Sequence, residues 1–422
     1  MESTDANLQA ERFAAMSAEE IRNYELDTLR RIADLALIPP VLNTSPLPEY
    51  SYENMNYAMT LNIARTPKGR IWVAWVGGGD SPDAFFLLAS SDDEGKTWSQ
   101  PRLVVNGQSP TIPFRRSILV GNIWTDPRGR LWLFFDQSML ARDGREGVWA
   151  TVCENPDDDK PHWSPPRRIW HGCSLNPPII LSTGEWMLAI GLNETRGHWP
   201  FHDLFEELDP VRGVNIFVSI DEGRTWQPRG RVKHPKPEWP EPRLIERKDG
   251  SLMLWFRTAN MPHSIAQSIS HDGGFTWSDP TYRTDIAQPI ARFLLKRLLS
   301  GRLLLIKHGV RLDEYDTESW PGIPYEKRGY KGRNNLSAWL SDDDGETWHG
   351  GLILDERKDI SYPDGFQNPE GEIFISYDRN RHPDGEIYMA RFTEEDILAG
   401  KLVSPNSKLK QLIIHCPAEK QG

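Results

Sequence analysis

An eight-residue pattern, S-x-D-x-G-x-T-W, occurs four times in this chain of 422 residues: SDDEGKTW from Ser91, SIDEGRTW from Ser219, SHDGGFTW from Ser270 and SDDDGETW from Ser341. Each copy follows an apolar run (FFLLAS, VNIFVS, SIAQSIS, LSAWLS) and precedes another short one, so each reads as a hairpin turn. The Ser and Asp can bond turn amides, the Gly supplies a positive φ and the Trp packs beneath the turn. A fifth, degenerate copy spans CENPDDDKPHWS at 153–164. Identical residues repeated around a fold are architecture, so these aspartates are read as structural.

A second repeating unit is a tight hairpin with glycine at its turn, near Gly69, Gly129, Gly184, Gly250, Gly301 and Gly371, at intervals of 51 to 70 residues. Five of these hairpins precede a true or degenerate Ser-Asp turn, and the last continues into EIYMARF and LKQLIIH. Four antiparallel strands, six times over, predict an all-β, six-bladed propeller of four-stranded blades. The abundance of Trp (17), Gly (33) and Pro (33) agrees with many short strands joined by turns.

Residues 1–50 read as an N-terminal helical extension to the propeller of residues 51–422. Ser17 with Glu20 forms a capping-box pattern ahead of Ile21, Tyr24, Leu29, Ile32 and Leu35, and Pro39-Pro40 stops the run. A second, short helix is expected after Thr393. The net charge of −11 argues against a nucleic-acid or anionic-membrane surface. Cys153, Cys173 and Cys416 are too scattered for a disulfide framework or metal cluster, the histidines lack ligand spacing, and no nucleotide motif is present, so neither metal nor cofactor is expected. No apolar run reaches membrane length and the start lacks a signal-peptide pattern, which makes a cytoplasmic location the expectation. Nothing in the sequence speaks to oligomeric state.

Propeller topology sorts residues by face. All the Gly and Ser-Asp turns fall on one side. The other collects Asp80, Asn176, Glu241, Arg257, Gln288, His308, Arg333, Tyr362 and Asp378. Four inner strands open on the same frame, Asn176-Pro, Glu241-Pro, Gln288-Pro and Tyr362-Pro, with a different polar group each time, as a binding site on a pseudo-symmetric scaffold requires. Two long loops, 193–213 and 311–333, open on that face as candidate walls. In EPRLIERKDGSLMLWFR, 241–257, the Asp249-Gly250 turn returns Glu241 and Arg257 to one edge, where they can pair as a salt bridge or serve a site.

From about 56 to 392 the chain resembles the sialidase superfamily, six-bladed propellers with Asp-box (BNR) repeats. That resemblance implies a retaining exo-glycoside hydrolase acting on sialic acid or a related acidic glycan residue. It assigns Tyr362 as nucleophile, with Asp364 two residues on and Asp378, in place of the usual Glu, sixteen on; Glu241 as its base; Asp80 as acid/base, with Asp83 as fallback; and Arg257 and Arg333, the latter eight residues before Ser341, as clamps on the substrate carboxylate. The family's first-blade arginine is missing, since Met59-Thr60-Leu61 stands there, with Arg65, Arg115 and Arg116 as possible substitutes. Asn176, Gln288, His308, Arg292 and Asp378 are expected to contact substrate.

The residue types suit that chemistry. A phenol avoids the repulsion an anionic nucleophile would meet from a carboxylate on the anomeric carbon, and it needs a base in hydrogen-bond reach. Two other readings stay open. A polysaccharide lyase acting on uronate-containing glycans could use Tyr362 with His308 or His171. A non-catalytic carbohydrate-binding propeller could use Trp199, Trp239 and Trp320 as stacking platforms.

Overall fold

The computed structural model describes residues 16–193, 196–233, 241–258, 264–315 and 332–417. Trp239, Trp320 and most of the 311–333 loop lie outside the described residues. Among the described residues six antiparallel sheets of four or five strands form, one per expected blade, beside a small two-stranded sheet of Arg116–Ser117 and Ser138–Met139, and the inner hairpins turn at the expected glycines. The innermost strands are Met59–Arg65, Gly121–Thr125, Ile179–Ile180, Arg243–Glu246, Leu294–Arg297 and Ile360–Gln367. In blade 1 a fifth strand, Val41–Asn43, adds to the outer edge by pairing with Leu103–Asn106.

The fourth blade shows why the hairpins form. Arg243 pairs with Trp255 and Glu246 with Leu252, and the Gly250 amide closes the turn on the Arg247 carbonyl at 3.0 Å, with Gly250 at φ +82°. The return strand Leu252–Arg257 is buried at every position, because a blade is covered on both faces by its neighbours. The ring closes by packing and by a few polar contacts, the Thr60 amide donating to Asp378 at 3.2 Å and Arg391 to Glu94 at 2.9 Å. Ile63, Val73 and Trp75 of blade 1 meet Phe374, Ile387 and Met389 of blade 6, whose four strands all come from 360–415.

The Ser-Asp turns repeat one hydrogen-bond pattern. The Ser91 hydroxyl accepts from the Gly95 amide at 2.8 Å, and Asp93 accepts from the Thr97 amide and hydroxyl at 2.9 and 2.6 Å. The same contacts recur at Ser219, Ser270 and Ser341. These bonds hold Asp93, Asp221, Asp272 and Asp343 down at a pKa of about 2. Each carboxylate is spent on its own turn, as the structural reading requires.

Helix α1 (Ala18–Asp34) carries the expected capping box, with the Ser17 amide donating to Glu20 at 2.8 Å. It lies against the site side of blades 2 and 3: Leu29, Ile32 and Ala33 pack with Met139, Phe201 and Phe205. Arg30 forks onto Glu207 at 3.1 and 2.9 Å, and Arg145 reaches Asp34 at 2.8 Å. Helix α2 (Glu394–Ala399) is capped by Thr393 and ends on Gly400 at φ +64°.

Candidate active site

A cavity of about 470 Å³ opens on the face opposite the turns, where the inner strands begin. Five of the sequence-assigned residues line it: Asp80, Glu241, Arg257, Arg333 and Tyr362. The Tyr362 hydroxyl donates to Glu241 Oε1 at 2.8 Å, and Arg257 Nη1 donates to the same oxygen at 2.8 Å. Glu241 Oε2 is buried with no hydrogen-bond partner among the described residues. Glu241 and Arg257 therefore do form a salt bridge, and Glu241 and Tyr362 both line the cavity.

Tyr362 and Glu241 share a backbone anomaly. Their φ angles are +54° and +37°, in the left-handed region that side chains with a Cβ rarely adopt. Tyr362 sits where the strand register slips between Ser361 and Asp364, so it leaves the ladder instead of packing between blades. Strain of this kind persists where the surrounding structure over-determines a conformation, and it clusters at functional sites. Burial raises the Tyr362 pKa, the Glu241 charge raises it further, and Arg257, Arg381 and Arg333 act against both, which keeps the phenol protonated at neutral pH.

The cavity also holds a guanidinium that the sequence reading did not name. Met59 lines the cavity at the blade-1 position, and Arg381, from the loop after the strand Ile373–Arg379, enters beside it. Arg381 Nε donates to Asp378 at 3.0 Å, Nη2 donates to the Ser361 hydroxyl at 2.7 Å, and the guanidinium lies 4.2 Å from the Tyr362 ring centroid. Arg333 donates to the same hydroxyl at 3.2 Å and to the Ile290 carbonyl at 2.9 Å. Ser361 in turn donates to Asp378 at 3.2 Å. One serine thus holds two guanidiniums next to the phenol. The expected substitutes lie elsewhere: Arg65 sits toward the turn face, Arg115 pairs with Asp83 at 2.7 Å, and Arg116 binds the Leu35 and Ile38 carbonyls behind α1. The signal was present, as an Asp where the family has the longer Glu, followed by an arginine three residues on.

Asp83 is engaged by that pair, whereas Asp80 is exposed and has no hydrogen bond or ion pair among the described residues. The blade-2 wall adds Arg142, bonded to Glu146 at 3.0 Å and 3.7 Å from Asp136. Burial pushes the Asp136 pKa up to about 7; Arg142 opposes and Glu146 adds to the rise. His198, from the 193–213 loop, completes the rim, and its neighbour Trp199 is 87% exposed.

Five expected substrate contacts do not line the cavity. Asp378 is buried beneath Arg381. Arg292 crosses the propeller axis and donates to the Leu61 carbonyl at 2.7 Å, to Asn176 at 2.9 Å and to Asp364. Asn176 also donates to the Pro242 carbonyl at 2.5 Å. Arg243 and Asn122 reach the same Asp364 oxygen at 2.8 and 3.2 Å. Burial opposes ionisation of Asp364, but Arg243 and Arg292 outweigh it and hold its pKa low. Gln288 accepts from the His308 amide at 3.2 Å, and His308 Nε2 lies 2.9 Å from the Ile360 carbonyl. Burial lowers the His308 pKa to about 3 and leaves a neutral imidazole turned away from the cavity. His171 meets Trp170 edge-on away from the cavity, its pKa lowered by burial to about 4. Having a place on the right face did not decide whether a side chain points to the mouth or across the axis.

A model of the BNR repeat-like domain matches residues 69–375. A sialidase of Bacteroides fragilis (strain YCH46) is 26% identical over 296 residues, 65% of this chain and 50% of that protein, so the chain spans about half the length of the curated relative it matches. Among solved structures, a Hadza microbial sialidase superposes with a TM-score of 0.57 at 18% identity, covering 82% of this chain and 67% of that one. The intramolecular trans-sialidase of Ruminococcus gnavus, in complex with oseltamivir carboxylate, superposes with a TM-score of 0.57 at 13% identity, covering 86% and 99%. At these identities the likeness to solved structures speaks for the fold.

Proposed function

The chain belongs to the BNR repeat-like domain family, within the sialidase superfamily, and from that premise we propose that it is a retaining exo-glycoside hydrolase that removes a terminal acidic sugar of the sialic acid class. The observation that carries this reading is the Tyr362 hydroxyl donating to Glu241 at 2.8 Å inside a cavity bordered by three guanidiniums. Arg257, Arg333 and Arg381 face two carboxylates, Glu241 and Asp378, so the group keeps a net positive charge for an anionic substrate. The relatives named sialidases and the neighbour holding a carboxylate ligand agree with this chemistry.

In the first step the Tyr362 oxygen bonds to the anomeric carbon as its proton passes to Glu241, while Asp80 protonates the departing glycosidic oxygen. In the second, water attacks that carbon, Asp80 takes the water's proton and Glu241 returns its own to the phenolate. A neutral phenol meets the substrate carboxylate without repulsion and becomes strongly nucleophilic only as its proton leaves. Asp80 is exposed in the open cavity, where it can reach both the departing oxygen and the incoming water. His308 and His171 both face away from the cavity, which leaves the lyase reading without the imidazole it assumed. The test is release of fluorophore from a 4-methylumbelliferyl α-sialoside, with the first product observed by NMR. The reading expects the α-anomer from the native protein and no release from Tyr362→Phe. Ultraviolet absorbance of a new C=C bond from a uronate polysaccharide, without sialoside hydrolysis, would replace it by the lyase.

A further inference from the structure

The network around Asp364 closes the propeller axis at mid-height, and the half of the channel below it opens to the turn face. Two adjoining cavities lie there, of about 710 and 420 Å³, and between them they touch the inner strands of all six blades. Lys296, in the inner strand of blade 5, lines both. Its ammonium makes no hydrogen bond or ion pair among the described residues. Burial disfavours its charge, Asp364 attracts it and Arg243 repels it. Asp364 is already bound by Arg243 and Arg292, so three cations share one carboxylate around the lower channel. The acids at the mouth are committed elsewhere: Asp126 binds Arg130 and the Trp132 indole, and Glu246 binds Ser182. Lys296 is half-buried, so its ammonium reaches the channel, and an anion bound there would balance a charge that makes no ion pair among the described residues.

The walls state what kind of anion fits. Trp124, Ile179, Phe366 and Pro177 present apolar surface, and Leu299 at the rim is 70% exposed. Arg243 and Arg297 also line these cavities but are held by Asp364 and Asp344, and Arg65 lines only the smaller one, so in the larger cavity the Lys296 ammonium beneath apolar walls suits one negative charge, and a dianion would leave its second charge against hydrocarbon. We propose that the turn-face half of the channel binds an organic monocarboxylate, its charged end on Lys296 and its apolar body against Trp124, Ile179 and Leu299. This site is separate from the Tyr362 cavity and does not depend on the hydrolase reading.

Crystals of the full chain soaked with 4-bromobenzoate locate the ligand by the anomalous signal of bromine. The proposal expects a bromine peak in the lower channel with the carboxylate at Lys296. In solution, benzoate should bind the native protein roughly tenfold more tightly than benzyl alcohol does at this site, and Lys296→Met should weaken benzoate by a similar factor while its melting temperature stays near that of the native protein. Bromine only in the Tyr362 cavity, or nowhere, overturns the proposal. So does inorganic phosphate binding the lower channel better than benzoate. The benzoate and benzyl alcohol comparison needs no variant and remains decisive if Lys296→Met fails to fold.

Discussion

Two charged clusters lie one above the other on the propeller axis, and both are built from arginines closing on a buried carboxylate. In the lower one, Asp364 accepts from Arg243, Arg292 and Asn122 and also from the Gly365 amide. In the upper one, Glu241 takes both its bonds on one oxygen, the other oxygen has no partner among the described residues, and Glu241 and Tyr362 are held at positive φ. The lower cluster spends both oxygens of its carboxylate on its own donors; the upper holds strain and an unspent acceptor. Arginines and acids at an inner-strand start therefore do not by themselves mark a site. What distinguishes the upper cluster is unfinished bonding at an open cavity, which a substrate can complete.

Exchanging the properties of the two clusters should fail in opposite ways. Tyr362→Phe is expected to cut sialoside turnover by roughly a thousandfold or more while leaving the melting temperature nearly unchanged. Asp364→Ala is expected to do the reverse in kind, lowering stability to denaturant by about 3–5 kcal/mol because it strands two buried guanidiniums. A Tyr362 variant that unfolds, or an Asp364 variant as stable as the native protein, would erase the distinction. Next in size is Arg381→Ala, which removes a charge-assisted clamp and should weaken a sialic acid analogue by about ten- to a hundredfold. Arg65→Ala should leave that affinity unaltered, as measured by calorimetric titration of both proteins.

A smaller effect comes from His308, which ends the second strand of blade 5. Its folded pKa of about 3 lies below its ordinary 6.5, so the unfolded chain takes up the proton first as pH falls. The stability it contributes is complete above about pH 6.5 and is lost progressively toward pH 3, at up to about 1.4 kcal/mol per pH unit. Urea unfolding of His308→Gln at pH 7, 5 and 4 should show a flatter profile than the native protein; parallel profiles would place the imidazole in contact with water. Smallest of all, Asp93→Asn at a peripheral turn should cost about 1 kcal/mol and leave turnover unchanged, since that carboxylate is spent on Thr97 and its neighbours.

The frame of the molecule was legible because its signals are local and repeated. A Ser-Asp turn closes within five residues, as Ser91 and Gly95 do, and a Gly hairpin within five, so pattern alone placed six blades and the face on which the site lies. Tyr362, Glu241, Arg257 and Arg333 were also found from spacing, because each sits where an inner hairpin or Asp box fixes its height on the blade. Direction across the axis was not legible. Arg292 and Asn176 turn into the waist, because Asp364 of another blade offers Arg292 a partner 72 residues away in sequence and Arg292 in turn donates to Asn176, 116 residues away. Arg381 was hidden for the same reason in reverse: a loop beyond the last inner hairpin delivers it beside Met59, and only the shortened acid Asp378 hinted that the guanidinium had moved.

The central claim is that Tyr362 forms the bond to the sugar. A 3-fluorosialosyl fluoride tests it directly, because fluorine beside the anomeric centre slows the second step and lets the covalent intermediate accumulate. After incubation and proteolysis, mass spectrometry should show the fluorosialosyl mass on the peptide bearing Tyr362, absent from Tyr362→Phe. The same mass on Glu241 or Asp80, or turnover of the reagent with no adduct on any peptide, would contradict the account.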